Sequence, residues 1–108
     1  MGIEKKTYKQ DEVKALSDAE VTKLLTEVPQ WSLKNKAIER EFKFKDFRDA
    51  MEFVNKVAAL AEAEDHHPDI CISYNKVQLT LSTHKVGGLS SKDFILGTKI
   101  NLAAEGGR

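Results

Sequence analysis

The fold is decided by the stretch Ile70-Cys71-Ile72-Ser73-Tyr74-Asn75-Lys76-Val77-Gln78-Leu79-Thr80-Leu81. Large apolar side chains recur at every second position on both sides of Asn75-Lys76, which is the spacing of a β-strand with one buried face. A polar pair between two such runs is typical of a hairpin turn. The sequence therefore predicts two antiparallel strands joined at Asn75-Lys76, the second of them continuing through Thr83 until Gly87-Gly88 breaks it.

The position of this turn also predicts which residues face each other across the hairpin. With the turn centred on Asn75-Lys76, Ile70 would face Leu81. Continued to the open end of the hairpin, the same register would place His67 opposite His84, with facing Cβ atoms about 5 Å apart. Because Pro68 interrupts the strand, we expect proximity of the two histidines rather than a fixed distance.

The remaining elements follow from apolar spacing and from helix-capping residues. The upstream elements are a helix that begins at the capping box of Ser17 and Glu20, a short strand around Trp31, a strand from Ile38 to Phe44, and a helix from Asp46 to about Glu64. Downstream, Ser90 caps a last helix that has Asp93 at its third position. The order helix, two strands, helix, two strands, helix predicts an α+β two-layer sandwich. In it, three helices cover one face of a four-stranded antiparallel sheet.

Length and composition bound the number of domains. The chain has 108 residues, of which 41% are hydrophobic and 31% charged, and these values are those of one globular domain. We place that domain at residues 13–104. Residues 1–12 are rich in charge and poor in large apolar groups, so we expect a flexible or loosely docked extension there, and residues 105–108 are expected to form a short tail.

The charge balance and the cysteine content exclude several classes of protein. Lys+Arg and Asp+Glu number 17 each, so no field of one sign is available to attract nucleic acid or an anionic membrane. No apolar run approaches the ~20 residues that span a bilayer, and the first residues lack the apolar core of a signal peptide. The single cysteine, Cys71, excludes an intrachain disulfide framework. We therefore expect a cytoplasmic protein that binds neither nucleic acid nor membrane.

All three histidines of the chain fall near the predicted hairpin. His66 follows the end of the long helix, where the negative end of the helix dipole favours a protonated imidazole. The neighbouring carboxylates of Glu62 and Asp65 would also favour the charged form or fix a tautomer. Together with His67 and His84, this predicts a cluster able to exchange protons near neutral pH.

Other interpretations of these residues stay open at this point. A histidine at a helix end is often structural. Asp93 is fully explained as a helix-capping carboxylate. A metal site is the rival interpretation of three histidines, but the chain lacks paired cysteines and the H-x-x-x-H spacing, and adjacent histidines tend to diverge. We therefore expect no bound metal.

The sequence contains four motifs: Glu62-x-x-Asp65-His66-His67-Pro68, Tyr74-Asn75-Lys76-Val77, Leu81-Ser82-Thr83-His84, and Gly88-Leu89-Ser90 with Asp93. Together they resemble the pterin-4a-carbinolamine dehydratase family over roughly residues 13–102. This resemblance implies an enzyme that removes water from 4a-hydroxytetrahydropterin to give quinonoid dihydropterin. The reaction belongs to tetrahydrobiopterin recycling and needs neither a metal nor a redox cofactor.

The resemblance also implies roles for individual residues. His66, His67 and His84 would line the pterin pocket; we expect His66 and His84 to be the main acid/base pair and His67 to position the substrate. Glu62 and Asp65 would orient imidazoles or bind pterin nitrogens. The other substrate-binding positions that the family pattern implies are Ser82, Thr83, Lys85 and Asp93. Lys85 stands where vertebrate relatives usually have Glu, which leaves the preferred pterin side chain open.

The helix at residues 46–64 carries more apolar surface than one sheet needs to bury. Self-association as a homodimer or homotetramer through this helix would cover the excess. Vertebrate members of the family also bind the dimerisation helices of a homeodomain transcription factor. The resemblance therefore implies, as an alternative, a coactivator role and a nuclear as well as cytoplasmic location. A pterin-binding module without turnover is a further alternative.

Overall fold

The computed structural model of the chain describes residues 13–106. The extension expected at residues 1–12 and the last two residues of the expected tail lie outside the described residues. The elements in chain order are α1 (Asp18–Leu25), β1 (Ser32–Lys34), β2 (Ala37–Lys43), α2 (Phe47–Glu64), β3 (Asp69–Ser73), β4 (Lys76–Leu81), a single 3₁₀ turn (His84–Val86) and α3 (Ser91–Gly106). Helix α3 thus extends two residues past position 104, where we placed the end of the domain.

The four strands form one sheet in the order β1-β2-β4-β3, and every neighbouring pair is antiparallel. The core lies between this sheet and the helices. The sheet contributes the alternate residues Ile38, Phe42, Val77, Leu79 and Leu81, and the helices contribute Val21, Ala50, Phe53, Val57, Phe94, Leu96 and Ile100. The predicted α+β two-layer architecture is confirmed.

The predicted helix starts are confirmed by their hydrogen bonds. At α1, the Glu20 amide donates to Ser17 Oγ (3.1 Å) and the Ser17 amide donates to Glu20 Oε1 (2.8 Å). The backbone hydrogen bond from Ser17 lowers the pKa of the Glu20 carboxyl. At α2, Asp46 accepts a hydrogen bond from the Asp49 amide (2.9 Å). The starts of α1 and α2 are therefore set by residues within three positions of each helix cap.

The predicted register of the β3–β4 hairpin is wrong by two residues. The turn consists of Tyr74-Asn75, and Ile70 pairs with Leu79 instead of Leu81. Tyr74 adopts a left-handed conformation with φ of 55°. A shift of two residues leaves every side chain on the same face of the sheet, so the apolar pattern is satisfied equally well by both registers.

Contacts outside the hairpin select the observed turn. The Asn75 side-chain amide donates to the Phe44 carbonyl (2.9 Å), and the Phe44 amide donates to the Asn75 carbonyl (2.8 Å). These two bonds hold the turn against the end of β2. Because they join residues far apart in the chain, the hairpin sequence alone does not contain them.

The second strand is also shorter than predicted. Pairing of β3 with β4 ends at Asp69 and Thr80. The chain then reverses, with the Thr83 amide donating to the Gly88 carbonyl (2.7 Å). His84 therefore lies in the 3₁₀ turn, and the prediction that a continued strand places it opposite His67 is wrong.

Arg40, the polar residue on the apolar side of β2, is accommodated by α3. Its guanidinium donates to Asn101 Oδ1 (2.5 Å) and lies 4.1 Å from the centroid of the Phe42 ring. Trp31 Nε1 donates to the same Asn101 oxygen (2.8 Å). Trp31 itself precedes β1, whereas we expected it within the strand, and it is buried against α3 near Gly97.

Within residues 13–106, no helix is both long enough and apolar enough to cross a membrane.

Replacement by alanine should have opposite effects on stability at two glycines. A Cβ at Gly97, inside α3, would lie 3.5 Å from Trp31 Cε2, which is ordinary van der Waals contact. Gly97→Ala should therefore raise the free energy of unfolding by roughly 0.5–1 kcal/mol. Gly87 has open space around it but a φ of 69°. Gly87→Ala should therefore lower the free energy of unfolding by about 1 kcal/mol. Urea denaturation measures both changes, and a loss of stability in the Gly97 variant would contradict the ordinary van der Waals contact between position 97 and Trp31.

Candidate active site

His66 is held inside the protein by a carboxylate from a distant part of the chain. Helix α2 ends at Asp65, which adopts a left-handed conformation, and the His66 amide then donates back to the Ala61 carbonyl (3.0 Å). The His66 side chain is buried, and its Nε2 lies 2.6 Å from Oδ1 of Asp93 in the first turn of α3. The contact joins the end of one helix to the beginning of another.

Asp93 is fully buried, and both of its oxygens have partners. Oδ1 contacts His66, while Oδ2 accepts hydrogen bonds from Thr83 Oγ1 (2.8 Å) and from the Ser90 amide (2.9 Å). The Ser90 hydroxyl completes the network by lying 2.7 Å from Thr83 Oγ1. The helix-capping role expected of Asp93 is met by Oδ2, and Oδ1 contacts His66.

His67 points to a different environment although it is the next residue. Its side chain is exposed, and its Nε2 lies 2.6 Å from Oε2 of Glu62, which is also exposed. Of the two roles expected for Glu62, this geometry supports orientation of an imidazole. Hydrogen-bonded pairs of this kind fix which ring nitrogen carries the proton.

His84 has the least constrained side chain of the three histidines. It is exposed at the start of the 3₁₀ turn. Among residues 13–106 its imidazole has neither a hydrogen bond nor an ion pair. It is therefore free to bind a ligand and to exchange protons with solvent.

An open cleft of about 230 Å³ brings the predicted site residues together. Its lining consists of Asp65, His66, His67, Ser82, Thr83, His84, Lys85 and Lys92. The two other predicted site residues are not part of this lining: Glu62 contacts His67 on the surface, and Asp93 contacts His66 in the interior. The histidines meet because α2 ends beside the 3₁₀ turn, and not through the strand register that we predicted.

Lys92 is the residue of this cleft that the sequence analysis missed. Its side chain is 8% exposed, and its Nζ donates to the backbone carbonyl of Asp65 (3.2 Å). A signal was present in the sequence: a lysine in the first turn of a helix opposes the helix dipole, so its position needs another explanation. The structure supplies one, since the ammonium group meets the C-terminal end of α2.

Over the part of the chain that the structure describes, no three His, Cys, Asp or Glu side chains converge in a way that could hold a metal ion. The site offers instead three imidazoles in three environments: buried and paired with a carboxylate, exposed and paired, and exposed without a partner. Such a set can donate and accept protons on one bound molecule.

Comparison with known proteins relates this chain to one family. Residues 14–103 match the family described as Pterin 4 alpha carbinolamine dehydratase. A curated protein of Picosynechococcus sp. is 54% identical over 75% of this chain and 88% of its own length. One from Sulfolobus acidocaldarius is 46% identical over 80% of this chain and 94% of its own length. Both carry the provisional name pterin-4-alpha-carbinolamine dehydratase.

Solved structures show the same relationship. A transcriptional coactivator/pterin dehydratase from Brucella melitensis has a TM-score of 0.79 and 37% identity, covering 82% of this chain and 97% of that chain. A pterin dehydratase-like protein described as a RuBisCO assembly factor of the alpha-carboxysome shares the fold, with a TM-score of 0.57 and 21% identity over 68% of this chain and 86% of that chain. From the family match and these identities, the chain belongs to the pterin 4 alpha carbinolamine dehydratase family.

Proposed function

We propose that this protein is a hydro-lyase that removes water from 4a-hydroxytetrahydropterin and releases quinonoid dihydropterin. The observation that carries the proposal is the cleft lined by His66, His67 and His84, whose three imidazoles have different partners. Membership of the dehydratase family supports the choice of substrate. Loss of water from a carbinolamine needs one group to protonate the departing oxygen and another to accept a proton from the neighbouring ring nitrogen.

His66 is suited to be the base. With Asp93 ionised, the carboxylate only accepts hydrogen bonds, so His66 Nε2 carries the proton of that contact and Nδ1 keeps a lone pair. When Nδ1 takes the proton of the substrate's ring nitrogen, the new imidazolium charge lies beside a buried carboxylate. That arrangement stabilises the charge where it forms.

His84 is suited to be the acid. In its protonated form it would give a proton to the hydroxyl group, the carbon–oxygen bond would break, and water would leave. The carbon that bore the hydroxyl then forms a double bond to the ring nitrogen that His66 deprotonates. Because His84 is exposed, solvent can return the transferred proton to it.

The other residues of the cleft would bind and position the pterin. His67, oriented by Glu62, would hold the substrate. Ser82 and Lys85 line the cleft and would contact the pterin directly. The hydroxyl of Thr83 is engaged by Asp93, so Thr83 would act chiefly by fixing that carboxylate. As part of this proposal, the enzyme serves tetrahydrobiopterin recycling in the cytoplasm without a cofactor.

Helix α2 supports the further proposal that the protein is a homodimer or homotetramer through residues 46–64. One side of the helix carries Phe47, Met51, Val54 and Ala58 at intervals of three and four residues, which places them in one stripe. Phe47 is 50% exposed, and Ala58 is also exposed. A second copy of the same stripe would remove this apolar surface from water.

The same stripe favours a second candidate function, the binding of a transcription-factor dimerisation helix. The related Brucella melitensis structure is described as a transcriptional coactivator as well as a pterin dehydratase. An amphipathic helix could lie along an exposed apolar stripe as a second copy of α2 would. Self-association uses the same surface and needs no further protein, so we rank it first.

The first prediction concerns the reaction itself. In a stopped-flow assay with synthetic 4a-hydroxytetrahydropterin, the protein should accelerate dehydration, and added chelator should leave the rate unchanged. If the protein binds pterin tightly but does not accelerate dehydration, the proposal of an enzyme is wrong and the protein is a pterin-binding module. A rate that falls with chelator would instead revive a metal site.

The second prediction separates the contact of Asp93 with His66 from the contact between Ser90 and Thr83. Asp93→Asn should lower kcat by about 10²–10⁴-fold, because an amide directed at His66 Nε2 favours the wrong tautomer. Ser90→Ala is the matched control, since it removes the hydroxyl beside Thr83 but does not touch His66. It should cost about 1 kcal/mol of stability and leave kcat within roughly threefold. Equal losses of kcat in both variants would mean that the network is only structural.

The third prediction concerns assembly. Light scattering should give the mass of a dimer or tetramer, and Ala58→Lys, in the middle of the stripe, should shift it towards the monomer. Ala63→Lys, at an exposed alanine on another side of α2, should leave the mass unchanged. A monomeric wild-type protein would contradict the proposal. Failure of the dimerisation helix to bind in a pull-down would remove the coactivator alternative.

A further inference from the structure

Asp65 has a backbone conformation that is uncommon for a residue other than glycine. Its φ and ψ are 50° and 46°, which is the left-handed region. Among the described residues, the other non-glycine positions with positive φ are Asn35 and Tyr74, and both lie in hairpin turns. Asp65 instead ends helix α2, immediately before the two adjacent histidines.

The left-handed residue determines where those histidines go. The Asp65 amide donates to the carbonyls of Ala61 and Glu62, and the following amide of His66 also donates to Ala61. The chain is thereby turned off the helix axis within one residue. After this turn, His66 enters the protein interior towards Asp93, while His67 returns to Glu62 on the outer surface of α2.

Helix α3 holds the turn from the other side through two consecutive residues. Lys92 Nζ donates to the Asp65 carbonyl (3.2 Å), and Asp93 contacts His66. Lys92 is nearly buried, at 8% exposure. One turn of α3 therefore contacts both the left-handed residue and the histidine that follows it.

The carboxylate of Asp65 takes no part in these contacts. It is exposed, and within residues 13–106 it has neither a hydrogen bond nor an ion pair. What distinguishes aspartate from most residues here is that it tolerates the left-handed region, a property it shares with asparagine and glycine. A β-branched residue in this region is strongly disfavoured.

We propose that Asp65 is a positioning residue that acts through its backbone conformation, rather than through its carboxylate, to direct His66 and His67 into their separate environments. Of the two roles that the family resemblance implies for Asp65, the orientation of the imidazoles is then achieved by the turn itself. The inference rests on the proposed dehydratase function for its kinetic consequences, but not for its structural ones.

A series of substitutions at one position tests the inference. Asp65→Asn removes the charge and Asp65→Gly removes the whole side chain, yet both allow the left-handed turn, so each should lose less kcat than a variant that cannot adopt the turn. Asp65→Val should lower kcat tenfold or more, because a displacement of about 1 Å at a catalytic group costs up to 10²-fold. Asp65→Ala, a milder change, replaces the valine variant if the latter does not fold.

Nitrogen NMR of the imidazoles provides a readout that needs no substrate. The ring-nitrogen shifts of His66 and His67 should be close to wild type in the asparagine and glycine variants and altered in the valine or alanine variant. Loss of kcat in the asparagine and glycine variants as large as that in the valine variant would assign the role to the carboxylate. Wild-type activity and shifts in the valine variant would overturn the inference. If wild-type protein proves inactive, the dehydratase proposal fails and the NMR series still decides this one.

Discussion

A carboxylate that is withdrawn from water must receive hydrogen bonds from the protein, and Asp93 receives them from three separate segments of the chain. His66 follows α2, Thr83 follows β4, and Ser90 precedes α3. Without the carboxylate, the buried Ser90 amide and His66 Nε2 would lose their partner, and each segment that moved away would remove one of the hydrogen bonds that compensate the buried charge. The relative positions of the helix end, the loop and the last helix therefore depend on this one side chain.

The elements could be predicted from the sequence because their causes are local. The helix caps, the period of two in the strands and the period of 3.6 in α2 each involve residues a few positions apart. The hairpin register could not be predicted in the same way. Both registers bury the same face, and the bonds that choose between them join Asn75 to Phe44, outside the hairpin. The position of Arg40 on the apolar side of β2 is explained in the same way, since its partner Asn101 belongs to α3.

The candidate site shows the same division between local and distant causes. The residue types and the motif spacing were sufficient to identify a histidine cluster, and the cleft contains it. The route that we predicted, a continued strand ladder between His67 and His84, is wrong, because the chain reverses after β4. The contact between His66 and Asp93 spans 27 positions. Sequence periodicity carries no information about a contact of that kind, whereas family resemblance had indicated both residues.

His66 and His67 have chemically identical side chains, so only their surroundings can make them differ. A site proposed to protonate and deprotonate one molecule needs imidazoles in different surroundings. The left-handed residue before His66 and His67 provides the difference by sending one ring to a buried carboxylate and the other to the surface. His84 has a third environment, because its imidazole is exposed on a separate loop. The three chemically identical side chains thus have different surroundings because of where the backbone turns.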